Sequence, residues 1–221
     1  MSPPIRSALL DTVPHGFSLK DGLAPGMLVA GGRDVTLRQV HSARVITAEE
    51  APDQPVEADG LVTGRAGLVL HIVTADCAPI LLADIRAGII GAVHAGWRGA
   101  QGGIIGNAVA AMEDLGANRA DIRAAIGPTI ARDSYEVDAG FRAHFAAADE
   151  PFFSPGRAGH WQFDLPAFCR DRLARAGVGM IDDLAQDTYA QPRRFHSFRR
   201  ATHRGEPTAG RQTSAIGLPL A

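Results

Sequence analysis

The chain has little of what marks most specialised proteins. Cys77 and Cys169 are its only thiols in 221 residues, which excludes a small disulfide-dense scaffold. Lysine is nearly absent: Lys20 stands alone among 22 basic residues, a skew that follows codon bias, so no single arginine marks a site by its identity. The net charge of −2 gives no global attraction to nucleic acid or an acidic surface. The longest apolar stretches, 66–75 and 78–83, are broken by His71, Asp76 and Cys77 and fall short of the ~20 residues a membrane span needs. No GxGxxG or Walker loop occurs, so the dinucleotide and P-loop readings fail. The opening Met-Ser-Pro-Pro-Ile-Arg has no charged start followed by an apolar run. No signal peptide is expected, and the cytoplasm is the expected location.

What is present is ordinary globular composition, 46% hydrophobic and 21% charged, enough for one domain to bury a core without staples. No linker divides the chain, so a single domain over 1–221 is expected, with 1–14 loosely ordered. Met27–Ala30 reads as a strand-like piece and 35–48 as an alternating strand. Leu68–Thr74 is rich in β-branched residues, as for a strand buried on both faces. Pro79–Ala83, Gly88–His94 and Ile122–Ile126 are further strands. Helices are expected at Gly102–Leu115, at Asp138–Ala148, and from the N-cap Asp164 with Pro166 in the first turn to Gly177. This mixture predicts an α+β or mixed-sheet α/β layer fold.

Chemistry concentrates at three places. Cys77 lies where a buried strand ends, beside Asp76, a carboxylate that needs a partner in apolar surroundings. His94 ends another strand, before Ala-Gly-Trp-Arg-Gly, in which Trp97 offers a flat apolar face and Arg98 a fork for an anion. His41 closes Arg-Gln-Val-His. Imidazole plus thiolate suits a divalent metal, zinc above all, or a cysteine nucleophile. A buried structural thiol and a solvated surface histidine are the plain alternatives, because the spacing matches no short zinc pattern. His71, inside its strand, reads as a hydrogen-bonded core histidine on the Cys77 side. Arg199 and Arg200, with Gly-Arg-Gln at 210–212, form either an anion site or a solvated basic surface. No basic-aromatic module for nucleic acid is recognisable.

Taken in order, Gln-Val-His-Ser, Ala-Asp-Gly-Leu-Val-Thr, Thr-Ala-Asp-Cys-Ala-Pro-Ile, His-Ala-Gly-Trp-Arg-Gly, Ala-Ile-Gly-Pro and Phe-Arg-Arg with Gly-Arg-Gln resemble the YfiH/laccase-domain family. Members were once called multicopper polyphenol oxidases and are now mostly described as purine nucleoside phosphorylases. The resemblance runs from about His15 to Leu218. It implies a sandwich of mixed sheets flanked by helices, and a zinc held by His41, Cys77 and His94. It implies phosphorolysis of adenosine, inosine, guanosine or methylthioadenosine, with adenosine deamination at the same site. Arg98, Arg199 and Arg200 would then hold phosphate, Trp97 would stack on the base or sit in the core, and Asp76 would orient a ligand histidine or handle a proton. Copper is disfavoured because the site offers only two histidines. The expected partners are nucleosides and phosphate, with the chain a monomer or weak homodimer. A thiol amidase or hydrolase acting on peptidoglycan precursors and a non-catalytic nucleoside-binding protein are the rival readings. The chain departs from the family in a shortened stretch between His-Gly-Phe-Ser and Gln-Val-His, and in Thr129 and Asp187, which stand where cysteines are frequent.

Overall fold

Two neighbouring strands bury both of their faces, and this decides the architecture. Along Ala78–Asp84, Leu81 and Ala83 join one core while Ala78, Ile80 and Leu82 join another. Ile89–Ala95 repeats the alternation, with Ile90 and Ala92 in the first core and Ile89, Val93 and Ala95 in the second. Strands of this kind need a cover on each side. The structure is a computed structural model that describes residues 2–24 and 26–220.

These strands lie at the centre of a six-stranded mixed sheet, in the order Met180–Asp183, Arg123–Ile126, Ala78–Asp84, Ile89–Ala95, Gly60–Thr63, Val45–Thr47. One cover is a four-stranded sheet, in the order His15–Phe17, Gln212–Gly217, Leu68–Thr74, Arg33–Val35. It contributes Leu70, Ile72 and Ile216 to the shared core. The other cover is a helical layer: Ile104–Asp114 brings Ile105, Ala108 and Met112, and Leu165–Arg175 brings Phe168 and Leu173. The result is a mixed α/β sandwich of sheet, sheet and helices. Asp164 caps the second helix by accepting from Ala167 N, and Gly177, at φ +86°, follows its end.

Several expectations are corrected. Residues 35–48 are not one strand: Val35 ends Arg33–Val35, and Leu37–Arg38 and Val45–Thr47 lie on either side of a turn at His41. Met27–Ala30 forms bends and turns. The second face of the strand Leu68–Thr74 is covered only in part: Val69 is buried with Val29 and Ala215, His71 is half-buried and pairs with Asp34 at 2.8 Å, and Val73 is exposed. The Gly102–Leu115 helix is preceded by a separate one, Trp97–Gln101, and Gly103 at φ +94° divides them. The 138–148 helix stops at Arg142; the Asp149 carboxylate instead accepts from Ala146 N and starts a 3-10 turn, Ala147–Phe152. The N-terminal stretch is packed rather than loose: Ile5 bridges Phe17, Leu10 is fully buried, and Ser7 N donates to His15 Nε2 at 2.9 Å. Met1 lies outside the described residues.

Candidate metal centre and its cavity

The chain leaves the four-stranded sheet at Thr74 and enters the six-stranded one at Ala78, so residues 75–77 form a corner between layers. Asp76 makes the bend at φ +87°, a left-handed conformation rare outside glycine. Cys77 follows it. The register pairs Ala78 with Ala95 and Pro79 with His94, which sets Cys77 beside the end of the neighbouring strand. The next strand over pairs Gly60 with Val93, and this carries Asp59 to His94.

Asp59 is fully buried and builds the rest of the centre. Its Oδ1 accepts from His94 Nδ1 at 2.8 Å and His41 N at 3.0 Å. Its Oδ2 accepts from Ser42 N at 2.6 Å, Ser42 Oγ at 2.8 Å and Val40 N at 3.3 Å. These bonds hold the 40–42 turn, including His41 at φ +59°. A carboxylate only accepts, so Nδ1 of His94 carries a proton, and Nε2 is the nitrogen that would lose its proton to ligate a metal. The ligand atoms of His41, Cys77 and His94 all lie within 4.8 Å of one another, with His41 Nε2 3.9 Å from Cys77 Sγ.

The donor set fits zinc. Metal–ligand distances of about 2.0–2.3 Å make the edge of a tetrahedron roughly 3.5 Å, a small contraction from the spacing seen. Gly96 leaves room for it: a Cβ there would stand 3.0 Å from both Cys77 Sγ and His41 Cδ2. The lowered Cys77 thiol favours a ligand thiolate, whereas His94 must release a proton to bind a metal. Burial pushes the Cys77 thiol up, but hydrogen bonds from His41 and His94 outweigh it and bring it down to about 6. Burial pushes His94 down, while Asp59 and Cys77 raise it to about 9. Burial also opposes ionisation of Asp59, yet His94 and Ser42 hold its carboxyl well below the usual carboxylate range.

The centre opens into a cavity of about 560 Å³. Trp97, Ile130, Tyr135, Leu165 and Phe198 supply apolar wall, and Arg98, Arg199 and Arg211 supply charge. The Arg98 guanidinium lies over the Trp97 ring at 4.5 Å and, among the described residues, makes no hydrogen bond or ion pair. Arg199 donates to Glu136 O at 2.6 Å and sits 5.1 Å over the Tyr135 ring. Trp97 is half-buried, packed on Phe141 and His144 and also facing the cavity.

Other sequence-derived assignments are not met. Arg200 is buried away from the cavity and donates to the carbonyls of Thr188, Tyr189 and Phe195, so it braces the fold rather than an anion. Asp76 does not orient a histidine: its carboxylate accepts from Thr188 Oγ1, Ser197 Oγ and Arg199 N. The histidine-orienting carboxylate is Asp59, which sequence reasoning missed. Its signal was an acid directly before a short buried strand, the same signal noted at Asp76. His71 lies outside the cavity lining. Tyr135 is a second omission; burial keeps its phenol protonated well above the ordinary range.

A mixed α/β sandwich with a His-Cys-His group able to hold a metal ion is the class that fold and geometry define. The chain belongs to the family described as multi-copper polyphenol oxidoreductase laccase, which it matches over residues 24–219. It is 41% identical over 184 residues to a purine nucleoside phosphorylase of Rickettsia conorii, covering 81% of this chain and 76% of that protein. Among solved structures it is similar to YlmD of Geobacillus stearothermophilus, with a TM-score of 0.83, 27% identity, and coverage of 96% and 94% of the two chains. It is also similar to the hypothetical protein YfiH of Bacillus licheniformis, with a TM-score of 0.81, 28% identity, and coverage of 94% and 93%.

Proposed function

We propose that the protein is a zinc-dependent purine nucleoside phosphorylase acting at the His41–Cys77–His94 centre. The observation that carries this is the union, in one cavity, of a three-residue ligand cluster, flat aromatic walls and an unpaired guanidinium. The phosphorylase names borne by relatives support the same reaction. Among the described residues this is the one cluster of its kind. It suits a single ion rather than a multi-copper array.

In phosphorolysis a phosphate oxygen bonds to C1′ of the ribose, the glycosidic C–N bond breaks, and the purine leaves with the bonding pair, to be protonated. Bound zinc would supply Lewis-acid polarisation of an oxygen. Arg98 and Arg199 bind the phosphate by charge-assisted hydrogen bonds. Trp97, Tyr135 and Phe198 shield the base and sugar from water. Asp59 keeps the His94 proton on Nδ1, so that Nε2 remains a ligand. Adenosine, inosine, guanosine and methylthioadenosine are the substrates to test.

Incubation of the zinc-loaded protein with inosine and phosphate should release hypoxanthine and ribose 1-phosphate in equal amounts. Absence of both products from folded, zinc-bound protein would refute the reading. Phosphate-independent conversion of adenosine to inosine tests the deaminase activity implied by the resemblance. One observation favours a second reading: the lowered Cys77 thiol beside His94 resembles an activated nucleophile. A thiol hydrolase keeps its activity after chelation, whereas the zinc enzyme loses it.

A further inference from the structure

We propose that Asp76 is a positioning residue that fixes Arg199 relative to Cys77, and so sets the distance between the phosphate subsite and the metal centre. The proposal rests on the phosphate role assigned to Arg199 above. Asp76 stands at the corner between the two sheets, directly before Cys77, in a left-handed conformation that a non-glycine residue keeps only where its surroundings impose it. The surroundings here come from distant parts of the chain. The carboxylate accepts from Thr188 Oγ1 at 2.6 Å, Ser197 Oγ at 3.0 Å and the main-chain Arg199 N at 2.7 Å. The carbonyl of the same residue accepts from Ile130 N at 2.9 Å and Thr129 Oγ1 at 2.8 Å.

Ser197 in turn caps the helix Phe198–Arg204. Arg199 is therefore held twice, by its main chain on Asp76 and by its side chain on Glu136 O. Ile130 and Arg199 both line the cavity. One buried residue thus joins the ligand-bearing corner to two cavity walls that are more than fifty residues away in sequence, its carbonyl holding Ile130 and its carboxylate holding Arg199. Asp76 also lines the cavity, but its hydrogen bonds run to residues 129–130 and 188–199 and none to His41 or His94, so the role assigned to it is exerted through Arg199 and Cys77.

The test compares zinc-loaded wild type with Asp76→Gly and Asp76→Asn. Glycine tolerates the left-handed bend and keeps the main-chain bonds but removes the anchor. Asparagine keeps an oxygen for Ser197 and Arg199, while the Thr188 hydroxyl turns to accept from the amide. Calorimetry with inorganic phosphate, the KM values for phosphate and inosine, and zinc content are measured. Asp76→Gly should weaken phosphate binding and raise the phosphate KM at least about tenfold, leave the inosine KM within about twofold, and retain zinc. Asp76→Asn should restore phosphate binding to within about threefold of wild type. Unchanged phosphate binding in Asp76→Gly would overturn the proposal. So would a parallel loss of phosphate, inosine and zinc, or a wild type that binds no inorganic phosphate. If Asp76→Gly does not fold, Thr188→Val removes one anchor and must weaken phosphate selectively; no effect overturns the idea. A wild type without phosphorolysis whose phosphate binding still depends on Asp76 would sink the phosphorylase reading and leave the positioning role standing.

Discussion

Replacing Asp59 by asparagine tests how the centre is built. The carboxylate serves five donors, from His94, His41, Val40 and twice from Ser42. Asparagine offers one oxygen and an NH2. If the oxygen faces Ser42, the NH2 faces His94 and the His41 N–H. His94 then relieves the clash by moving its proton to Nε2, which removes the lone pair available to a metal. The His41 N–H is left unpaired. One unsatisfied buried donor and one lost charge-assisted bond together cost about 2–4 kcal/mol of folding stability. Loss of the histidine's orienting partner weakens metal binding by about 10–100-fold, or roughly 1.4–2.8 kcal/mol. The assay pairs thermal unfolding of the metal-free protein with zinc competition against a chelator of known affinity. Both quantities should fall. A variant that loses stability but binds zinc like wild type would show that Asp59 builds the 40–42 turn without setting His94. No change in either would refute the reasoning outright.

Three further outcomes follow from the same geometry. Gly96→Ala places a methyl 3.0 Å from Cys77 Sγ and His41 Cδ2; it should cost about 1–3 kcal/mol and at least about tenfold in zinc affinity, read by the same competition. Asp84 is buried and accepts from Arg86 N, Ala87 N and Asn118 N, bonds that outweigh burial and lower its carboxyl. Its contribution is present above the unfolded value near pH 4 and lost as pH falls through the lower folded value, so Asp84→Asn should destabilise by about 1–3 kcal/mol at pH 7. Urea unfolding should show the gap to wild type closing below about pH 4; a gap independent of pH would contradict the assignment. Metal-free protein should show one fast thiol toward a disulfide reagent, Cys77, with zinc slowing it. Cys169 is fully buried, and burial pushes its thiol up; two fast thiols would contradict the structure.

The central strands are legible in the sequence because continuous apolar runs at Leu68–Thr74, Pro79–Ala83 and Gly88–His94 have no other stable home. The ends of those runs also point to Cys77 and His94. The turn at His41 is illegible because its left-handed backbone is held by Asp59, a residue brought there by strand pairing and not by proximity in sequence. The same reason hides Asp59 and sends Asp76 to partners at 188–199. Arg199 and Arg200 look equivalent as neighbours, yet a helix turns about 100° per residue, so one lines the cavity while the other is buried against three carbonyls. The apparent 35–48 strand shows that alternation alone does not exclude a tertiary turn.

One metal centre and one cavity are proposed to carry phosphorolysis. The direct measurement is release of hypoxanthine and ribose 1-phosphate from inosine, with phosphate, by wild type and by Cys77→Ser, each with its zinc content determined. Zinc-loaded wild type should release the two products equally and in strict dependence on phosphate, and the variant should lose both zinc and activity. Phosphorolysis by a folded Cys77→Ser protein free of zinc would contradict that reading, as would a zinc-bound wild type that forms neither product.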